Sequence, residues 1–296
     1  MSNEIKVQSI GALLEEAIED ITTKASGIDV REGEPLSTGL LNLDAVLGGL
    51  RPGEVVCIAG TSRSGRHSLA CQIGLSAAKQ GAAVLIISAE MSARQVALRA
   101  LAADARVDLA ELDAGRLDEG GWNRVVDAAG AISGLGLRVC GNRDISMDDV
   151  NAFAEDAMGG RGKGLVVLCG VEQIAETSGC DPRWVIERMK ALAAELRAPM
   201  VVTVDVAEAV VKCIRKGGYD PSGIGMAVGG VEGERDALML LDRGAASEEG
   251  SRADAPDFGT AVVAVAKNRY GECGTVELAF VREYGRFLDL VDDADA

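Results

Sequence analysis

The segment from Glu54 to Lys79 constrains this chain more than any other. Residues 54–59 (EVVCIA) form a short apolar, β-branched run bounded by Pro52-Gly53 and Gly60, and residues 68–79 follow with helical spacing. Between them stands Gly60-Thr61-Ser62-Arg63-Ser64-Gly65-Arg66-His67-Ser68. A strand, a glycine-rich turn and a helix in that order set backbone N–H groups around a helix N-terminus, where phosphate binds. In the usual motif, G-x-x-x-x-G-K-[ST], the Lys reaches the β and γ phosphates and the hydroxyl holds magnesium. Both glycines keep that spacing here, but Arg66 replaces the Lys and His67, the sole His, replaces the hydroxyl. Arg retains the positive charge as a broad planar fork. Imidazole is a poor ligand for magnesium, which prefers oxygen. Ser68 comes one position late and should point elsewhere around the helix. On these residues alone, a phosphate-binding loop and a glycine-rich turn without a ligand both stay open.

The remaining rhythm predicts an α/β fold. Residues 82–87 (AAVLII), 165–168 (LVVL), 200–204 (MVVTV) and 237–241 (ALMLL) read as further buried strands. Ser92-x-x-Gln95 opens a helix through Ala102 as a capping box, and Ser146-x-x-Asp149 opens one to about Met158. Asp181-Pro182 supplies an N-cap and a first-turn Pro for a helix lined by Val185, Met189, Leu192 and Leu196. Short apolar strands alternating with helices make a mostly parallel sheet covered on both faces. After Gly259 the pattern changes to TAVVAVAK, TVELAF and RFLDL, which predicts antiparallel strands at the C-terminal end. Residues 36–296 are expected to form this domain, with 1–35 a helix and linker before it.

That preceding helix has an apolar stripe of Ile10, Leu13, Leu14, Ala17, Ile18 and Ile21, with acids opposite. Packing on its own domain and docking on a neighbouring subunit are equally compatible with the stripe. Asp and Glu number 46 against 30 Lys and Arg, a net charge of −16. A field of that sign does not attract nucleic acid, so any contact with it must come from a local basic patch. Lys212-Cys-Ile-Arg215-Lys216 is the best such patch, against the alternative of a solvated loop. Seven scattered Cys without a C-x-x-C spacing suit reduced thiols in a cytosol. The acidic N-terminus lacks the features of a secretory signal, and no apolar run approaches the ~18 residues of a membrane helix. A cytoplasmic protein without a membrane partner is therefore expected.

Ser37-Thr38-Gly39 through Leu43-Asp44, Gly48-Gly49-Leu50-Arg51-Pro52-Gly53-Glu54, Ser88-Ala89-Glu90-Met91, Trp122, Lys190-Ala-Leu-Ala, Pro199-Met-Val-Val and Lys267-Asn-Arg269-Tyr-Gly271 occur in one order along the chain. That order and those residues resemble the C-terminal ATPase domain of DnaB-type replicative helicases, a RecA-like fold, over nearly the whole length. The resemblance implies ATP as ligand, a hexameric ring of identical subunits, single-stranded DNA in its channel and other replication proteins as partners. It implies that Glu90 activates the attacking water and that Lys267 and Arg269 reach the γ phosphate of the neighbouring subunit. Residues 60–68 would hold the nucleotide, residues 10–22 would dock on the next protomer, and Lys212, Arg215 and Lys216 would face DNA.

Four departures surround the same phosphate. Beside Arg66 and His67, the family's Walker B Asp falls at Cys169 and its γ-phosphate-sensing Gln at Asp205. The family's D-A-D falls at Glu234-Arg235-Asp236, and its N-terminal domain has no counterpart in the sequence. The reading is thus a DnaB-helicase-like replication protein that binds ATP weakly, with impaired hydrolysis and magnesium short of its anchors. A non-catalytic assembly partner or regulator of a true helicase, and an active helicase with an atypical site, are the alternatives.

Overall fold

The computed structural model describes residues 34–158, 163–215, 235–243 and 258–290, with residues 9, 10, 14 and 18 of the N-terminal segment; of 212–215 and 258 it describes the backbone alone. The apolar runs become β1 (Val55–Gly60), β2 (Ala83–Ser88), β4 (Gly164–Cys169), β5 (Met200–Asp205) and β6 (Ala237–Asp242). They join β3 (Leu137–Gly141), β7 (Phe258–Asn268), β8 (Gly274–Val281) and β9 (Arg286–Asp289) in one sheet of order β3-β2-β4-β5-β1-β6-β7-β8-β9. Strands β3 to β6 pair in parallel, and β7, β8 and β9 add on antiparallel, as the change of rhythm predicts. The helices are α1 (Leu41–Leu47), α2 (Arg66–Lys79), α3 (Ala93–Ala105), α4 (Leu109–Ala114), α5 (Glu119–Ser133), α6 (Met147–Met158), α7 (Val171–Ser178), α8 (Pro182–Leu196) and α9 (Glu208–Arg215).

Because strand side chains alternate between faces, the central strands feed two cores. Val55, Cys57 and Ala59 of β1 pack with Val150, Ile174, Met189 and Leu192 from α6, α7 and α8. Val56 and Ile58 of the same strand pack with Leu43, Leu69 and Ile73 from α1 and α2 and with Phe287 from β9. Burial on both faces is why the strands read as continuous apolar runs. The local caps fold as their residues dictate: Ser92 and Gln95 close a capping box on α3, and Asp181 accepts from the Arg183 N–H with Pro182 at the first turn of α8.

Two elements differ from expectation. The edge strand β3 is only half-buried and carries Arg138 among its apolar residues, so no continuous apolar run announces it. Lys212 and Arg215 fall on α9, where a loop was expected; burial of Val210 and Val211 anchors that helix. Lys216 and the side chains of Lys212 and Arg215 lie outside the described residues.

The chain divides into two units, Met1–Glu34 and Pro35–Ala296. In the first, Ile10, Leu14 and Ile18 are helical and 73 %, 53 % and 61 % exposed. The rest of the expected 10–22 stripe lies outside the described residues.

Candidate functional site

The carboxyl ends of parallel strands β1, β2, β4 and β5 converge where an open α/β sheet places its ligands. Gly60 ends β1 opposite Asp205 of β5, and Ser88 ends β2 opposite Cys169 of β4. The turn from Gly60 to Gly65 then enters α2. Gly65 adopts φ 94°, and a Cβ there would lie 3.0 Å from the Phe287 ring; a Cβ on Gly60 would lie 2.4 Å from Ser64 Oγ. Both glycines are thus demanded by the shape of the turn. Arg63 also holds a positive φ of 65°, and its carbonyl accepts a 2.7 Å hydrogen bond from Arg243, whose guanidinium stacks on Phe280. Thr61 O accepts the Ser64 N–H, while Ser64 Oγ is buried without a hydrogen bond. Ser62 lies on the exposed crest of the turn.

Arg66 does not extend out of the turn. Its side chain is 5 % exposed and folds back under the loop, Nη1 donating to Thr61 O at 2.9 Å and Gly60 O at 3.3 Å. The same Nη1 lies 2.9 Å from Asp205 Oδ1, and Nη2 donates to Glu90 Oε1 at 3.3 Å. His67 Nε2 stands 3.1 Å from that Glu90 oxygen, off the line that a hydrogen bond needs. Burial pushes the Glu90 carboxyl up, but the adjacent His67 and Arg66 outweigh it and hold the group below the usual carboxylate range. Glu172, at the first turn of α7, accepts the Asp205 N–H at 2.8 Å. Burial pushes the Glu172 carboxyl up, and nearby Asp205 adds to the rise. The Arg66 guanidinium is therefore held by Asp205 and Glu90, so an incoming phosphate would compete with two carboxylates for it.

The other expected residues lie apart from this cage. Ser68 turns toward Gly285, and α3 is capped by Ser92, not Glu90. Cys169 is fully buried, in the same apolar core as Cys71 of α2. Arg269 donates to Asp236 Oδ1 at 3.2 Å, and Lys267 pairs across β7 with Leu238 of β6. Among the described residues no cluster of His, Cys, Asp and Glu is arranged to hold a metal ion. At residues 67 and 169 themselves a hard dication would meet an imidazole and a buried thiol, donors it binds poorly.

The sequence profile of the DnaB-like helicase C-terminal domain matches residues 35–289. This chain belongs to that family. It is 26 % identical over 269 residues to the replicative DNA helicase DnaB of Geobacillus stearothermophilus, covering 88 % of this chain and 58 % of that protein. The replicative DNA helicase DnaC of Bacillus subtilis gives 26 % over 270 residues, again 88 % and 58 %. The chain thus spans less than two thirds of these curated relatives. A solved ATPase domain superposes with TM-score 0.80 at 20 % identity over 97 % of this chain and all of that one. A DnaB-like replicative helicase, solved for its interactions with primase, gives TM-score 0.77 at 20 % identity over 97 % and 69 %. The sheet and its helices are those of a RecA-like ATPase domain.

Within this site, Arg66 and Asp205 are partners. An Arg in the loop and an Asp at the end of β5 neutralise each other across 2.9 Å. Without Asp205 the nearly buried Arg66 charge would keep only Glu90 as a partner, whereas Asp205 is itself half exposed.

Proposed function

We propose that this DnaB-like domain serves DNA replication as a ring subunit whose own phosphate loop binds ATP weakly and hydrolyses it little. The observation that carries the reading is the Arg66 guanidinium held inside the loop by Asp205 and Glu90. Phosphate binding requires that guanidinium to leave two carboxylates and two carbonyls, and to leave them uncompensated. Repulsion from Asp205 at the loop adds to that cost. Calorimetric titration with magnesium-ATP tests this. The intact protein is expected to bind with a Kd above about 0.1 mM, and Asp205→Gln to tighten it at least about tenfold, worth ~1.4 kcal/mol. Micromolar binding that Asp205→Gln leaves unchanged would overturn it.

The proposed ring is supported by the family and by two apolar surfaces. Ile10, Leu14 and Ile18 recur at four-residue spacing on a helix and are exposed. A groove of about 340 Å³ on the second unit is lined by Val96, Leu101, Ile132, Leu135 and Leu137. The stripe of one copy is proposed to dock on such an apolar surface of the next. Deleting residues 1–30 should therefore shift the protein to smaller species in light scattering, and an unchanged mass distribution would sink the proposal. Lys212, Arg215 and Lys216 are proposed to face DNA weakly, since so few cations oppose a net charge of −16.

A further inference from the structure

Along the face of α2 that carries Ser68, Ser76 and Lys79, a cleft of about 140 Å³ opens between α2, α3 and the turn before β9. The whole chain bears a net charge of −16, yet the cleft has the opposite sign. Lys79 of α2, Arg99 of α3 and Arg286 of β9 line it against a single acid, Asp104. That acid is engaged by Lys79, and its side chain is only 14 % exposed. The surplus positive charge therefore falls on the two arginines.

Arg99 is exposed on α3 and makes no ion pair among the described residues. Arg286 donates Nη1 to Ala103 O at 3.0 Å, which holds its guanidinium against α3. Burial and the nearby Arg106 pull the Arg286 guanidinium below its ordinary range. A partly desolvated cation beside another cation is stabilised by an anion. The buried residues that line the cleft, Cys71 and Leu75, are apolar, so its charges are less screened than in open water. Ser76 Oγ accepts from Gln80 Nε2 at 3.3 Å, which leaves its own proton to donate.

We propose that this cleft is a phosphate-binding site separate from the phosphate loop, in which Arg99 and Arg286 hold the oxyanion and Lys79 adds its charge. Guanidinium forks are the donors that suit phosphate oxygens, and the Ser76 hydroxyl supplies a further one. The size of the cleft restricts the ligand. Pockets for drug-sized molecules hold ~300 Å³ or more, so this one takes a phosphate group and little beyond it. A bound phosphate would join α2, α3 and β9 through side chains that now repel one another.

Calorimetric titration of the intact protein with sodium phosphate, in chloride buffer of matched ionic strength, tests this. One phosphate is expected to bind per chain with a Kd of about 1 mM or below. Arg99→Gln should weaken binding at least about fivefold through loss of a charge-assisted contact. Asp104→Asn should instead tighten it about threefold or more, since it removes the one opposing charge. Arg286→Gln should weaken it as well, and Arg99→Gln, at an exposed position, decides the matter where that variant folds poorly. The same titration with glycerol phosphate assigns the source: weaker binding identifies the free ion, equal or tighter binding an ester, and both uphold the site. Absence of binding at 10 mM phosphate, about ten times the expected Kd, would overturn the proposal. So would binding that Arg99→Gln and Asp104→Asn leave unchanged. Phosphate binding that responds to Asp205→Gln alone belongs to the loop, and it too would sink the cleft while leaving the reading of the loop to its own test.

Discussion

Magnesium-ATP added to the intact protein, with or without single-stranded DNA, is expected to be hydrolysed at least about 10³-fold more slowly than the ~10 per second typical of enzymes. Phosphoryl transfer depends on positioning and on charge stabilisation by metal and cations, with little covalent help from the protein. Here the loop cation is engaged by Asp205 and Glu90, and the metal's usual anchors are His67 and a buried thiol. Loss of one electrostatic contact costs on the order of 10²–10³ in rate, and such losses overlap when the groups act as a unit. Glu90, in the proposed water-activating role, is held below the usual carboxylate range and is charged, but its near oxygen accepts from Arg66. Phosphate release should thus stay near background. Restoring Arg66→Lys, His67→Thr, Cys169→Asp and Asp205→Gln together should raise it by at least about tenfold, a gain of ~1.4 kcal/mol in barrier. Turnover of several per second in the wild type that Glu90→Gln abolishes would refute the expectation.

The fold was legible because burial on both faces leaves a mark that needs no alignment: residues 82–87 and 165–168 are apolar without interruption. Local caps were legible for a similar reason, since Ser92 and Gln95 satisfy orphan amides within one turn. Long-range caps were not. Asp289 accepts hydrogen bonds from the Leu41 and Asn42 N–H groups at 2.8 and 3.0 Å, closing the start of α1 from 248 residues away, and no local pattern announces it. At the site, the sequence exposed each changed residue only separately. It did not expose that Arg66 and Asp205 face each other, because that follows from the parallel register of β1 and β5. A lone acid at 205 and a cation at 66 were the available signal. Glu172 shows the same limit: nothing local in the sequence hints that it would accept the Asp205 N–H.

The largest stability effect is expected at Asp236, just before β6. Its carboxylate is 2 % exposed and accepts from the Val55 N–H at 2.8 Å and from Lys190 Nζ at 2.6 Å through Oδ2, and from Arg269 through Oδ1. Its own N–H donates to Val55 O, and its carbonyl accepts the Arg269 N–H. One side chain thus joins β1, β6, α8 and the turn after β7. Burial pushes the Asp236 carboxyl up, but Lys190, the Val55 N–H and Arg269 prevail and hold it below the ordinary value of 3.8. Asp236→Ala leaves the Val55 amide and the Lys190 ammonium without this acceptor, at a cost of about 3–4 kcal/mol by the scale for broken buried pairs. For a domain of this size that is a fall in Tm of about 6–16 °C. Asp236→Asn keeps an acceptor for Val55 and should lose about half as much. Arg269→Ala should cost under ~1 kcal/mol, because that guanidinium is 58 % exposed and its pairing is screened. The sign with pH follows from the lowered folded value: the stabilisation is complete above the unfolded value near 4 and is lost as pH falls through the folded one. The gap between wild type and Asp236→Asn should therefore be widest near neutrality and close in acid. Denaturant melts at pH 7 and pH 3 measure both. A gap that is the same at the two pH values, or an Arg269→Ala cost equal to that of Asp236→Ala, would show that Lys190 and Val55 are not what Asp236 holds in place.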